Sequence, residues 1–153
     1  MITELEQVSL FSELNEQAIR EIDRFCTRME LEDGYELISE NDKQSNDLFI
    51  LCSGRVEIVT RSSDATSSES ILSQHDKELF GEISWITGRK RTATVRCVGE
   101  VEAIFIDGKK FMVYLQDHPD TGFLVMRAIA CLVADSLNHT DQLLKQILWN
   151  TPI

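Results

Sequence analysis

Apolar residues near the start of the chain recur three and four positions apart. Phe11, Leu14, Ala18, Ile19, Ile22, Phe25 and Cys26 fall on one face of a helical turn, the pattern of an amphipathic helix with one dry side. Asn15 suits the N-cap and Glu16 the first turn, where negative charge complements the helix dipole. The spacing predicts a helix over about residues 15–26.

From about residue 28 to 106 the period shortens. Short apolar or alternating runs appear at Met29–Leu31, Tyr35–Ser39, Leu48–Cys52, Arg55–Thr60, Ser70–Ser73, Ala93–Cys97 and Val101–Ile106. Asp33-Gly34, Asn41-Asp42, Ser53-Gly54, Gly99-Glu100 and Asp107-Gly108 separate them as turn signals. Many short strands at near-regular spacing predict a sandwich, jelly roll or barrel. The polar stretch Ser62–Ser70 reads as a hairpin tip, with phosphorylation left open.

After Ile106 the helical period returns. Gly108 to Gln116 can form a short helix, and His118-Pro119-Asp120 opens a long one to about Leu148, with Pro in the first turn. Met126, Ile129, Val133, Ser136, Thr140, Leu143 and Ile147 make a heptad seam. Leu124, Ala128, Leu132, Leu137, Leu144 and Leu148 form a second stripe. A helix with two apolar faces can pack on its own strands and pair with a second copy; the alternative is a helix covered wholly within one chain. The expected organisation is one domain over 1–153: a helical segment at 1–27, strands at 28–106, helices at 107–148.

Composition narrows the functional classes. The 153 residues carry 15 Lys+Arg against 26 Asp+Glu, a net charge of −11. Sequence-independent binding of a nucleic acid polymer needs clustered cations, so no such partner is expected. One buried Arg holding one small phosphate remains compatible with that charge. No apolar run approaches a membrane span, and the acidic N-terminus lacks a signal-peptide core; the expectation is a cytoplasmic protein. Cys26, Cys52, Cys97 and Cys131 and the three histidines form no ligand spacing. We therefore expect no metal, and four buried or half-buried thiols.

The chemistry concentrates in Phe80–Val95. Gly81 permits a tight turn and close backbone approach. Glu82 to Ile86 can form one helical turn whose free N–H groups face an anion. Arg91 opens the next strand, and a guanidinium fork matches two phosphate oxygens. A carboxylate beside a phosphate suits a ribose hydroxyl, as in dinucleotide sites. Glu82 with Arg91 thus suggests a nucleotide; a structural Glu82–Arg91 ion pair explains the spacing equally well.

This stretch resembles the phosphate-binding cassette of cyclic-nucleotide-binding domains. These occur in the catabolite activator protein family, in regulatory subunits of cAMP-dependent protein kinase and in cyclic-nucleotide-gated channels. Phe80-Gly81-Glu82-Ile83-Ser84 matches its first half and Arg91-Thr92-Ala93-Thr94-Val95 its second. The resemblance extends from Val8-Ser9-Leu10-Phe11, through the hairpin Leu48–Ile58, to Phe111 and His118-Pro119. It implies a mainly β fold: an antiparallel β-roll of jelly-roll, cupin-like (double-stranded β-helix) type, with an N-terminal helix and a long C-terminal helix.

The resemblance also implies roles. The ligand would be cAMP or cGMP, with no cofactor. Arg91 would pair with the cyclic phosphate, Glu82 would hold the ribose 2′-hydroxyl, and Thr92 would reach the phosphate. Phe80, Gly81, Ile83, Ser84 and Ala93 would surround it. Ile58 and Ile71 would pack the purine, and Ser136 would cap the base, unless it is simply a tolerated polar residue in the seam. Three positions depart from the family pattern: Lys77 and Asn41 stand where Gly is usual, and Lys90 stands where Pro is frequent. Asn41 is the milder change of the two Gly positions, because Asn tolerates positive φ. Arg89 and Lys90 add positive charge beside the pocket.

Two functions follow as expectations. The first is a regulatory sensor, acting as a homodimer through its last helix on an effector protein not identified from sequence. The second is a ligand-free interaction or dimerisation module that retains the fold. Nucleophile–base pairs and paired carboxylates are absent, so an enzyme is not expected. Direct transcription control is not expected either, since the helix-turn-helix that regulators of the resembled family carry after the long helix does not appear in this chain, unless the chain is a fragment of a longer one.

Overall fold

Asn15 accepts the Ala18 N–H through its side chain at 2.9 Å and starts helix α2, Glu16–Asp23. The protein is described by a computed structural model covering residues 2–43, 45–61, 68–73 and 79–150. Helix α1, Ile2–Glu6, and a 3₁₀ turn at Ser9–Phe11 precede α2. Phe11 therefore joins the same core from a separate turn rather than from the helix the spacing predicted. Helix α2 stops at Asp23 because Cys26 already belongs to strand β1, Cys26–Leu31.

Strands β2 (Glu36–Ile38), β3 (Leu48–Arg61), β4 (Ser68–Ser73), β5 (Leu79–Phe80) and β6 (Thr94–Ile106) complete one antiparallel sheet. Its order is β1-β6-β3-β4, with β2 on β6 and β5 on β3. The sequence read β3 and β6 as two strands each, broken at Gly54 and Gly99. Both strands run on. Gly54 at φ +95° and Gly99 at φ +74° lie inside them, and the β3–β6 register shifts between Leu51 and Arg55. The glycines work as bulges that bend a long ribbon. At Gly54 a Cβ would stand 2.5 Å from the Glu100 carbonyl oxygen, so the two strands also approach too closely for a side chain.

The two faces of the sheet carry two cores. Leu48, Ile50, Ile104 and Ile106 pack with Ile22, Phe11, Phe111, Val125 and Ile129 under the helices. Phe49, Val56, Phe80, Val95, Cys97 and Ala103 pack with Leu31 and Ile38 on the far side. Residues 48, 49 and 50 alternate between these cores, as period-two side chains must. Two thiols, Cys26 and Cys97, are buried; Cys52 and Cys131 are exposed, against expectation, on outward faces of β3 and the last helix.

Helix α3, Glu82–Thr87, links β5 to β6. Helix α4, Gly108–Asp117, is capped by Asp107, which accepts the Lys110 N–H at 3.1 Å. Helix α5, Pro119–Asn150, follows. Among the described residues no helix is long and apolar enough to cross a membrane. The predicted seam on α5 needs correction. Ile129 is 2% exposed and sits in the domain's own core with Val125, while Met126, Ala128 and Leu132 pack against it. From Val133 to Asn150 every residue is exposed. The stripe left open is Phe123, Ala130, Val133, Leu137, Thr140, Leu144 and Ile147, spaced by threes and fours from Ala130 on. Periodicity gave two apolar faces, with Leu124, Ala128 and Leu132 on the one suited to the strand body; Ala128 and Leu132 do pack on the core, and Ile129 of the seam joins them there.

Candidate functional site

Two glycines in left-handed conformation bracket α3, Gly81 at φ +93° and Gly88 at φ +70°. At Gly81 a Cβ would stand 2.6 Å from the Asp47 carbonyl oxygen and 2.7 Å from Arg91 Nη1, so position 81 excludes a side chain on two grounds. The back of α3 is pinned. Trp85 stacks on Phe111 with ring centroids 5.2 Å apart, and its indole N–H donates to the Gly108 carbonyl at 2.8 Å. Glu82 and Ser84 are buried on the inner side, while Ile83 and Ile86 face outward.

Arg91 lies opposite and is 2% exposed. Its Nη1 donates to the Gly81 carbonyl at 3.1 Å and to Ser84 Oγ at 2.7 Å. Its Nη2 donates to the Asp47 carbonyl at 2.6 Å and to Ser45 Oγ at 3.4 Å. The backbone at Arg91 is held too: its N–H donates to the Asp42 carbonyl, and its own carbonyl accepts the Asn41 N–H, both at 3.0 Å. Asn41 takes φ +69°, the left-handed conformation for which Asn is suited. Burial lowers the guanidinium pKa, and the charges of Asp47, Asp42 and Glu82 oppose that shift. Because Arg starts so far above neutrality it keeps its charge.

Between these elements lies a hollow of about 180 Å³. Gly81, Glu82, Ile83, Ser84, Arg91, Thr92 and Ala93 form its polar side. Ile38, Ile58, Phe80 and Val95 form an apolar wall. A cation at one end and an apolar wall at the other fit a small amphipathic anion. Ser84, which accepts from Arg91, keeps its hydroxyl proton available for that anion.

A family model described as "Cyclic nucleotide-binding domain" matches residues 28–118, from β1 through α4, and so contains the whole hollow. The chain belongs to the cyclic nucleotide-binding domain family. Among curated relatives of this domain is the cAMP-dependent protein kinase regulatory subunit of Dictyostelium discoideum, 25% identical over 109 residues, covering 70% of this chain and 33% of that protein. Another is the CRP-like cAMP-activated global transcriptional regulator of Mycobacterium tuberculosis, 23% identical over 141 residues, covering 92% of this chain and 62% of that protein. The chain thus spans about one to two thirds of the length of these relatives. A solved cyclic nucleotide-binding domain from Methylobacillus flagellatus superposes with a TM-score of 0.81 at 15% identity, covering 99% of this chain and 85% of that one, a likeness of fold.

In this cyclic nucleotide-binding domain nine of the predicted site residues meet at one hollow: Ile58, Phe80, Gly81, Glu82, Ile83, Ser84, Arg91, Thr92 and Ala93. Ile71 pairs with Ile58 through the backbone of β4, and its side chain lies outside the described residues, as do residues 62–67 of the predicted hairpin tip. Ser136 is not at the hollow; it lies on the exposed half of α5. Sequence reasoning missed Ile38 and Val95 in the wall and Ser45 and Asp47 at the guanidinium. Alternation in the strands could have pointed to Ile38 and Val95. Nothing local marks the Asp47 carbonyl, because its direction is set by a loop that closes on a residue 44 positions away.

Proposed function

We propose that the chain is a regulatory module that binds one cyclic mononucleotide, cAMP or cGMP, in the Arg91 hollow. It relays occupancy through α4 and α5 to a partner protein. The observation that carries this reading is the buried Arg91 guanidinium beside the open start of α3, facing an apolar wall. The phosphate would bond to Arg91, Ser84 and the first N–H groups of α3, and Glu82 would hold the ribose 2′-hydroxyl. The purine would lie on Ile58 and Ile38, and Thr92 stands at the rim of the phosphate end. Both curated relatives are named for cAMP, which favours that ligand over cGMP. The reading is one of binding, with no catalytic step assigned.

The same reading makes the protein a homodimer along α5. Two copies of the stripe from Phe123 to Ile147 pair as a parallel coiled coil. Ser136 flanks that stripe.

A second reading, a ligand-free interaction module, is favoured by one observation: both terminal nitrogens of Arg91 already bond to the chain's own oxygens. Calorimetric titration with cAMP and cGMP, after a denaturation assay for co-purified nucleotide, separates the two. Saturable heat at one ligand per chain, or released nucleotide, supports the sensor. Flat titrations up to high micromolar ligand with an empty protein support the module.

A further inference from the structure

Gly108, the first residue of α4, is gripped from both sides. Its N–H donates to Asp47 Oδ1 at 2.9 Å, and its carbonyl accepts the Trp85 indole N–H at 2.8 Å. A Cβ there would stand 2.1 Å from the Asn46 carbonyl oxygen and 2.9 Å from Trp85 Cδ1. The 45–47 loop and α3 therefore converge on one backbone unit, and any side chain would force them apart.

Both grips lead back to Arg91. On one arm Nη2 holds the Asp47 carbonyl and Ser45 Oγ, and the Ser45 hydroxyl donates on to Asp47 Oδ2 at 3.1 Å. On the other arm Nη1 holds Ser84 Oγ, one residue before Trp85. One buried guanidinium is thus connected, through Ser45 and Asp47 on one side and the Ser84–Trp85 backbone on the other, to the first residue of the helix that leads into α5.

We propose that Asp47 is a positioning residue through which an anion at Arg91 acts on the start of α4. This rests on the reading of the hollow as a cyclic-nucleotide site. A phosphate is a charged acceptor, and bonds to it are shorter and roughly twice as strong as bonds to a neutral carbonyl. It draws Nη2 away from the Asp47 carbonyl and Ser45 Oγ. The 45–47 loop loses its anchor, and the Asp47 carboxylate carries the change to the Gly108 N–H. Trp85, held by its stack on Phe111, steadies the carbonyl of the same residue. Ligand thereby shifts α4 at one fixed point instead of loosening the whole domain.

The test uses the full chain, with cAMP and cGMP as probes. Hydrogen exchange of residues 108–118 is compared with and without ligand, beside the calorimetric affinity. In the parent, ligand changes exchange in this segment. In Asp47→Ala the change is lost while ligand still binds saturably at one per chain. Asp47→Asn, which keeps an oxygen acceptor for Gly108, restores it; failure to restore it contradicts the role given to Oδ1. Ser45→Ala cuts the bridge to the carboxylate and the long Nη2 contact, leaves the Asp47 carbonyl bond to Arg91 in place, and weakens the response, which keeps the proposal testable if Asp47→Ala folds poorly. An Asp47→Ala protein that responds like the parent overturns the proposal, as does a parent that binds without any response in 108–118. Absence of binding in the parent overturns the functional reading and this proposal together.

Discussion

Arg91 does two jobs. It is the cation of the hollow, and it ties the Gly81 and Asp47 carbonyls into one frame. Truncation therefore affects both ligand and fold. Arg91→Ala removes a charge-assisted fork, costing about 2–4 kcal/mol of cyclic-nucleotide binding, and it leaves buried acceptors unpaired. Calorimetry reads the first effect and thermal melting the second. Gly81→Ala is a separate probe. Its positive φ and the clash with Asp47 and Arg91 predict a loss of more than about 1 kcal/mol in stability, with the hollow deformed; a melting temperature equal to the parent's would contradict that. The local pattern made both residues legible, because a glycine before a short helix and an arginine at a strand start are sequence-near features. Asp47 and Ser45 were not, since only the fold brings their loop to Arg91.

Helix α5 divides in two. Its first part is domain core: Val125 is fully buried and Ile129 nearly so. Ile129→Ala should cost the monomer about 2–5 kcal/mol, read by denaturant unfolding. In the proposed dimer the second part forms the interface. Leu137, Leu144 and Ile147 are 61%, 53% and 63% exposed, so Leu144→Glu should leave the fold intact and shift dimer to monomer in sedimentation velocity. A monodisperse monomer in the parent would contradict the dimer. Here the sequence was half legible. The three-and-four spacing announced a helix with two apolar faces, while the strands' choice of Ile129 moved the open stripe to a different register. Gly54 and Gly99 show the same limit in the strands. Glycine allows either a turn or a bulge, and the pairing of β3 with β6 decides between them.

At the scale of the molecule, a polar clasp joins α2 to α4. Tyr114 donates its hydroxyl to Glu21 Oε2 at 2.7 Å, and its ring stacks on His118 with centroids 4.2 Å apart. Burial, then the bond to Glu21, push the Tyr114 phenol up to about 12 from its ordinary 10.0. The folded protein holds that proton more tightly than the unfolded chain. The associated stability is complete below about pH 10 and is lost as pH climbs toward about 12. Glu21 moves the other way: chiefly the Tyr114 hydrogen bond holds its carboxyl below its ordinary 4.5. That contribution is complete above about pH 4.5 and is lost as pH falls through the lower folded value. Tyr114→Phe should flatten both flanks of the melting-temperature profile, and a profile that keeps both slopes would contradict the clasp.

The net charge of −11 argues against a polyanion partner, and a buried Arg91 accommodates one small phosphate within that acidic molecule. This pairing is the core of the account, and one measurement tests it most directly: calorimetric titration of the intact protein with cAMP, in parallel with Arg91→Gln of verified fold. The account predicts saturable binding at one cAMP per chain in the parent, weakened by a factor of about thirty or more in Arg91→Gln, the equivalent of about 2 kcal/mol. Equal affinity in the two proteins would contradict it.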